Sequence, residues 1–363
     1  MLKKIAFYLP QFHSIPENDR WWGDGFTEWT NVKNSKPQFR GHIQPEQPLN
    51  DNYYNLLEED VQEWQSQLAL DYGIDGFCYY HYWFEGKLLL EKPMENMLTN
   101  SNIKIPFCIC WANETWSRTW DGQESEILIK QNYSESETAW KLHFDYLLPF
   151  FKDERYIKHN GCPMLIIYKP HLISNCQNMI AYWKELAKEN GFSDLYVGYQ
   201  HCSSSDYDLK TLGLDFGIAF EPFYSVFEII KETSTLQGKI NYLFKNPHNI
   251  LYYLQHKLLN IPKKYNYDEI WNRINCRKLN ENVYPGMFMS WDNTPRRGAH
   301  ANIFYKSSPE KFHMYGSQLL GEYVKKNSNG YIFINAWNEW AEGAHLEPDV
   351  VNGYKYLEAI KDV

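Results

Sequence analysis

Eight short apolar runs, each followed by a more polar stretch, set the strongest limit on what this chain can fold into. They lie at 4–10 ("KIAFYLP"), 73–83 ("GIDGFCYYHYW"), 105–113 ("IPFCICWAN"), 162–170 ("CPMLIIYKP"), 195–200 ("LYVGYQ"), 215–222 ("DFGIAFEP"), 285–293 ("PGMFMSWDN") and 330–338 ("GYIFINAWN"). Their apolar cores are near-continuous rather than alternating, the pattern of strands covered on both faces. Amphipathic segments at 54–72, 86–100, 136–151, 173–190 and 308–326 have helical spacing. Gly73 and Gly191 follow two of them where a left-handed residue closes a helix, and "SSPE" at 307–310 opens another. Strands of this kind alternating with helices imply an α/β fold, and eight of them match a (β/α)8 TIM barrel. A doubly wound sheet is the alternative, but the first strand runs into "YLPQFH" with no GxGxxG turn. The expectation is one catalytic domain over 1–363.

The stretch 223–284 is too long for a plain connection. It reads as a helical insertion of two or three helices between the sixth and seventh strands. Over 224–283 it carries nine Lys/Arg against five Asp/Glu, in a chain of net charge −9. A solvated helical cap, a lid, an anionic-polymer contact and a membrane-surface contact all fit that charge. The overall acidity argues against a nucleic-acid partner. No run of 18 apolar residues and no leader-like opening segment occur, and the seven cysteines include no CxxC pair. The expected location is therefore the cytoplasm, with the thiols reduced.

In a barrel of this type, chemistry sits on the loops after the strand ends. Those ends carry Tyr8 and Gln11; Tyr80, His81 and Trp83; Trp111, Asn113 and Glu114; Tyr168; Gln200 and His201; Glu221; Trp291, Asp292 and Asn293; and Asn335, Asn338, Glu339 and Glu342. Aromatics are 17% of the chain, and their flat faces suit stacking on sugar C–H surfaces. Cleaving a glycosidic bond needs one carboxyl to donate a proton and another to act as base or nucleophile. Glu339 and Glu342, three apart on a helical turn, would place their Cβ atoms roughly 5–6 Å apart. Their repulsion, and tryptophans that exclude water, would separate their pKa values. Glu114, in a second Asn-Glu pair after the third strand, is an equally acceptable partner for Glu339 on spacing. No metal is expected, because the histidines are scattered and "DYD" at 206–208 is too short a match to carry one. No cofactor is expected either.

The stretches "FYLPQFH", "WWGDGFTEWTNV", "YGIDGFCYYHYWF", "PFCICWANETW" with "WDG" at 120–122, "WDNTPRRG" and "NAWNEWAEGAHLEPD" together resemble the WbsX family. These are bacterial proteins encoded with surface-polysaccharide genes, and they are similar to glycoside hydrolase family 99. The resemblance runs from about residue 3 to 358 and spares mainly the insertion. It implies a (β/α)8 barrel acting on glycans. Family 99 enzymes are retaining endo-α-mannosidases whose catalytic pair lies in an NEWxEG segment, matched here by Asn338 to Gly343. By that resemblance Glu339 would deprotonate the substrate 2-hydroxyl to give a 1,2-anhydro sugar. Glu342 would protonate the leaving oxygen and later activate water. Family 99 has His before the second glutamate, where this chain has Ala341. Trp111, Asn113, Tyr168, Asp292 and Arg296 would line the sugar subsites.

The first expectation is thus a hydrolase cleaving an internal α-linkage of a bacterial polysaccharide. A glycosyltransferase of O-antigen or capsular polysaccharide synthesis is the second. It is disfavoured because no diphosphate cradle is evident. A non-catalytic glycan-binding barrel is the third, and it would leave the glutamate pair without a purpose.

Overall fold

The computed structural model describes residues 2–118, 123–201, 208–245, 247–259, 261–326 and 330–363. Eight parallel staves form a nearly closed barrel: β1 (Leu2–Tyr8), β2 (Gly76–Phe84), β3 (Phe107–Trp111), β4 (Cys162–Ile167), β5 (Tyr196–His201), β6 (Phe216–Ala219), β7 (Gly286–Phe288) and β8 (Gly330–Asn335). Each of β1 to β5 pairs with the next in sequence. The last stave returns to the first, with Leu2 opposite Gly330 and Ala6 opposite Ile334. The seventh stave is divided. Val283–Tyr284 bonds to β6 and Gly286–Phe288 to β8, so the barrel comprises nine strand segments. The division falls at Pro285, the residue with no N–H to give to a ladder.

Side chains alternate along a strand, so each stave feeds two layers. Phe7 and Tyr80 turn into the barrel, where the Phe7 ring centroid lies 5.6 Å from Tyr80, 5.1 Å from Phe220 and 5.8 Å from Phe333. Tyr8 and Tyr79 turn outward onto the helix Glu59–Asp71. There the Tyr8 hydroxyl donates to Gln65 at 2.6 Å, and Gln62 donates to the Tyr79 hydroxyl at 3.3 Å. Both layers are closed to water, and β2, β3 and β8 are buried at every position. That is why these segments read as continuous apolar runs.

The outer helices Glu59–Asp71, Lys92–Thr99, Glu137–Lys152, Cys176–Glu189 and Pro309–Lys326 fall within the amphipathic segments, to within a residue or so. Gly73 and Gly191 take φ of +76° and +91°, as helix closure requires. The insertion differs from the expectation. It holds four helices, Phe223–Glu232, Leu236–Lys245, Pro247–Leu259 and Tyr267–Cys276, and a strand, Lys263–Asn266, paired in parallel with Asn302–Tyr305. Two further elements were not anticipated. A hairpin of Trp116–Arg118 with Gln123–Ile129 follows β3, and the long excursion after β1 contains the helices Pro16–Trp22 and Glu28–Asn34. Within "DYD" and "WDG", residues 206–207 and 120–122 lie outside the described residues. Among the described residues no helix is long and apolar enough to cross a membrane, and no disulfide joins the six described cysteines.

Candidate active site

The chain leaving β8 does not continue as an α-helical turn. Asn338–Glu339 pairs with Ala344–His345, and Trp340–Glu342 forms a 3₁₀ turn closed by Gly343 at φ +58°. Residues three apart eclipse in such a turn, so Glu339 and Glu342 present to one side. The neighbouring side chains fix the turn from behind. Asn338 accepts from the Leu9 N–H at 2.7 Å and donates to the Leu9 carbonyl at 3.0 Å, joining the exits of β8 and β1. Trp340 is buried, stacks on His345 with centroids 3.6 Å apart, and donates its N–H to Glu347 at 2.6 Å. Glu347 also accepts from Tyr54 at 2.9 Å and Gln65 at 2.6 Å. The tryptophan of this segment therefore anchors the glutamates rather than facing a sugar.

One cation organises the acids. Arg296, on the short helix Thr294–Arg297 after β7, donates through Nη1 to Glu342 at 2.6 Å and through Nη2 to Glu339 at 3.1 Å. Its Nε and Nη2 also reach Oε2 of Glu28 at 3.2 and 3.1 Å. Glu28 is fully buried in the first turn of Glu28–Asn34, and its other oxygen has no hydrogen-bond partner. Three carboxyls thus meet a single guanidinium, with Glu28 and Glu339 buried and Glu342 partly open to the cavity. One positive charge does not offset three negative ones there, which favours a proton on the Glu339–Glu342 pair. Burial lifts the pKa of Glu339 to about 8; Arg296 pulls against it, while Glu342 and Glu28 add to it. Burial also raises Glu342, again against Arg296. Arg296 makes its shorter bond to Glu342 and its longer one to Glu339.

In front of the pair lies a cavity of about 360 Å³. Its polar wall carries Gln11, Asn18, Glu114, Gln200, Glu339 and Glu342, and its aromatic wall Trp22, Tyr80, Tyr82, Trp116, Tyr168 and Phe223. Arg296 is the one cation among the described residues that line it. Gln200 donates to the Tyr80 hydroxyl at 3.1 Å, and Gln11 to the Tyr82 hydroxyl at 2.9 Å. Among the described residues no group of three His, Cys, Asp or Glu could hold a metal ion.

Of the residues singled out from sequence, Gln11, Tyr80, Glu114, Tyr168, Gln200, Arg296, Glu339 and Glu342 come together at this cavity. Glu114 forms an ion pair with Lys169 at the rim, so it is Glu342 that shares a cation with Glu339. Others are turned away by strand parity. Tyr8 faces Gln65; His81 meets His143 at 2.9 Å; Trp83 stacks on His143; and Trp111 donates to the Trp83 carbonyl at 3.3 Å. A third group stitches loops together. Asn113 bonds the Lys169 backbone, Asn335 the Glu221 carbonyl, and Asn293 accepts from the Asn302 N–H. Glu221 pairs with Arg277 of the insertion at 2.5 Å, His201 packs on Tyr224, and Trp291 meets Phe223 edge-on. Asp292 accepts from Gln44 and faces His42 at 2.6 Å, and its N–H donates to the Glu342 carbonyl at 2.7 Å.

Sequence reasoning missed Glu28, Tyr82, Asn18, Trp22 and Trp116. Tyr82 was accessible from parity, two positions beyond Tyr80. Glu28 carried a signal too, an acid between buried aromatics in "GFTEWT".

Comparison with known proteins agrees with this architecture. The family described as Glycosyltransferase WbsX matches residues 4–360. The WxcX proteins of two strains of Xanthomonas campestris pv. campestris are 36% identical over 361 residues, which is 98% of this chain and 49% of theirs. The chain therefore spans about half the length of those curated relatives. Among solved structures, the GH99 endo-alpha-mannosidase from Bacteroides thetaiotaomicron, in complex with bis-tris-propane, aligns over 99% of this chain and 95% of its own. The TM-score is 0.56 and the identity 14%. A glycoside hydrolase-like protein aligns over 99% and 93%, with a TM-score of 0.57 and 13% identity. At such identities the likeness is one of fold.

Proposed function

This chain belongs to the WbsX family, and from that membership we propose that it is a glycan-active enzyme, a retaining endo-acting glycoside hydrolase. Its substrate in this reading is an α-linked, mannoside-like bacterial polysaccharide, and its catalytic residues are Glu339 and Glu342. The observation that carries the reading is the shared guanidinium of Arg296, which holds both glutamates at one wall of a cavity with aromatic sides. Stacking surfaces would hold sugar rings, and one retained proton between two acids is what proton donation to a leaving oxygen requires.

The steps are those that the resemblance to family 99 implies for the two acids. Glu339 takes the proton of the sugar 2-hydroxyl as that oxygen attacks the anomeric carbon. Glu342 gives a proton to the departing glycosidic oxygen, then removes one from the water that opens the anhydro sugar, while Glu339 returns its proton to the 2-oxygen as the C1–O2 bond breaks. In the complex that reacts, Glu342 carries the shared proton and Glu339 is the anion, and the two acids titrate as a unit. The family is described as one of glycosyltransferases. Against a nucleotide-sugar donor stands the cavity lining, whose one described cation is already engaged by three acidic side chains.

Incubation with a library of bacterial oligosaccharides, with and without nucleotide sugars, tests the reading. Fragments released without a donor are expected. Product formed only when a donor is added would replace the hydrolase with a transferase.

A further inference from the structure

Helices Leu236–Lys245 and Pro247–Leu259 follow one another across the outer part of the insertion. Between Leu236 and Leu259 the sequence holds Lys239, Lys245 and Lys257 and no Asp or Glu, within a chain of net charge −9. The apolar residues of this stretch are unusually open to water. Leu236 is 77% exposed, Phe244 74% and Leu258 75%, with Ile240, Leu251, Leu254 and Leu259 also exposed. Positions 236, 240 and 244 make one stripe along the first helix, and 251, 254 and 258 another along the second.

These helices also have an inner, anchored side. Asn249 is buried and donates to the Tyr242 carbonyl at 3.1 Å and to Glu269 at 3.2 Å, and Tyr252 is buried edge-on to Tyr305. A Cβ on Gly238 would come within 1.9 Å of the Glu232 carbonyl, so the first helix lies close on the one before it. With the inner side taken up by packing, these helices present apolar side chains and exposed lysines and carry no acid of their own; Lys239 donates to the Tyr253 hydroxyl at 3.3 Å, and Lys245 borders a pocket with Asp268 and Glu269.

We propose that the outward face of Leu236–Leu259 docks on the surface of an anionic lipid bilayer. Apolar side chains would enter the boundary between headgroups and acyl chains, while Lys239, Lys245 and Lys257 stay at the level of the lipid phosphates. Tyr242 and Tyr253 are half-buried beside them, in keeping with residues placed at such a boundary. The charge selects this partner: the face is cationic where the rest of the chain is acidic, and a phosphate-bearing bilayer satisfies both of its characters at once. A nucleic acid would leave the leucines and Phe244 in water. The insertion begins at Phe223, which also lines the catalytic cavity, so docking would tether that rim of the barrel to the membrane surface.

Sedimentation of the full chain with vesicles tests the proposal. One set is an equimolar mixture of phosphatidylglycerol and phosphatidylcholine, and the other is phosphatidylcholine alone. Binding to the mixed vesicles is expected, with loss in high salt and much weaker binding to the neutral ones. Reversing the three lysines (K239E, K245E and K257E together) should weaken partitioning by on the order of a hundredfold or more. The triple change L236S, F244S and L258S should abolish it. Melting temperature should hold in both variants, since these side chains are exposed. Wild-type protein that stays in the supernatant with mixed vesicles would overturn the proposal. So would a concentration-dependent dimer, seen by analytical ultracentrifugation, that the apolar variant disperses while vesicle binding is unaffected; the face would then belong to a second copy of the chain.

Discussion

At the scale of single residues, Glu339 and Glu342 beside one guanidinium determine how this protein should respond to pH. Glu339 and Glu342 are both raised above the ordinary carboxylate range, Glu339 to about 8. An activity that needs one proton on the pair should give a bell-shaped profile of kcat/KM. Its alkaline limb should fall near pH 8, and its acid limb should lie above the pH at which an ordinary glutamate titrates. A rate that stays flat from neutral pH to well beyond 8 would contradict this assignment. The same shift bears on stability. The pKa of Glu339 goes from 4.5 to about 8 on folding, so its favourable protonated contribution is complete below the lower value. That contribution is lost as pH rises through the upper one. Glu339→Gln does not titrate. Its melting temperature relative to wild type should therefore climb with pH between those values, by about 1.4 kcal/mol of stability per pH unit, and level off above them. Thermal melts of both proteins across that range provide the check.

At the scale of elements, the site depends on how tightly the loops after β7 and β8 are joined. Gly343 closes the 3₁₀ turn in the left-handed region, and a Cβ there would come 2.9 Å from the Asp292 nitrogen, the atom that donates to the Glu342 carbonyl. Gly343→Ala should cost roughly 2–3 kcal/mol, from left-handed strain and overpacking together. It should also lower kcat by moving Glu342 away from Arg296. A variant that melts and turns over like wild type would show that the two loops are not interdependent. The same scale explains what sequence could and could not reveal. Strand ends were legible, but the layer each side chain enters was not. Tyr80 and His81 are adjacent, yet one reaches the cavity and the other packs on His143. Parity separates them once the register is known, but a strand apolar on both faces hides that register. Glu28 and Trp22 were obscured for a different reason, since they arrive on an excursion that belongs to no stave.

At the scale of the whole molecule, the barrel was readable because eight covered strands leave few other arrangements. The divided seventh stave was not, because pairing with two different neighbours is decided by closure of the sheet and not by local pattern. The insertion read as helical and basic, but its exposed apolar face appears only once the helices are packed. The catalytic proposal can be judged most directly on a glycan that the protein cuts without a nucleotide sugar, by measuring kcat/KM and glycan Kd for Glu339→Gln, Glu342→Gln and the double variant. Each single change is predicted to lower kcat/KM by about 10²–10⁴-fold with Kd nearly unchanged, and the double variant to be little worse than the poorer single one, as residues that act as a unit are. Full activity in either single variant, or losses that multiply in the double, would contradict the account.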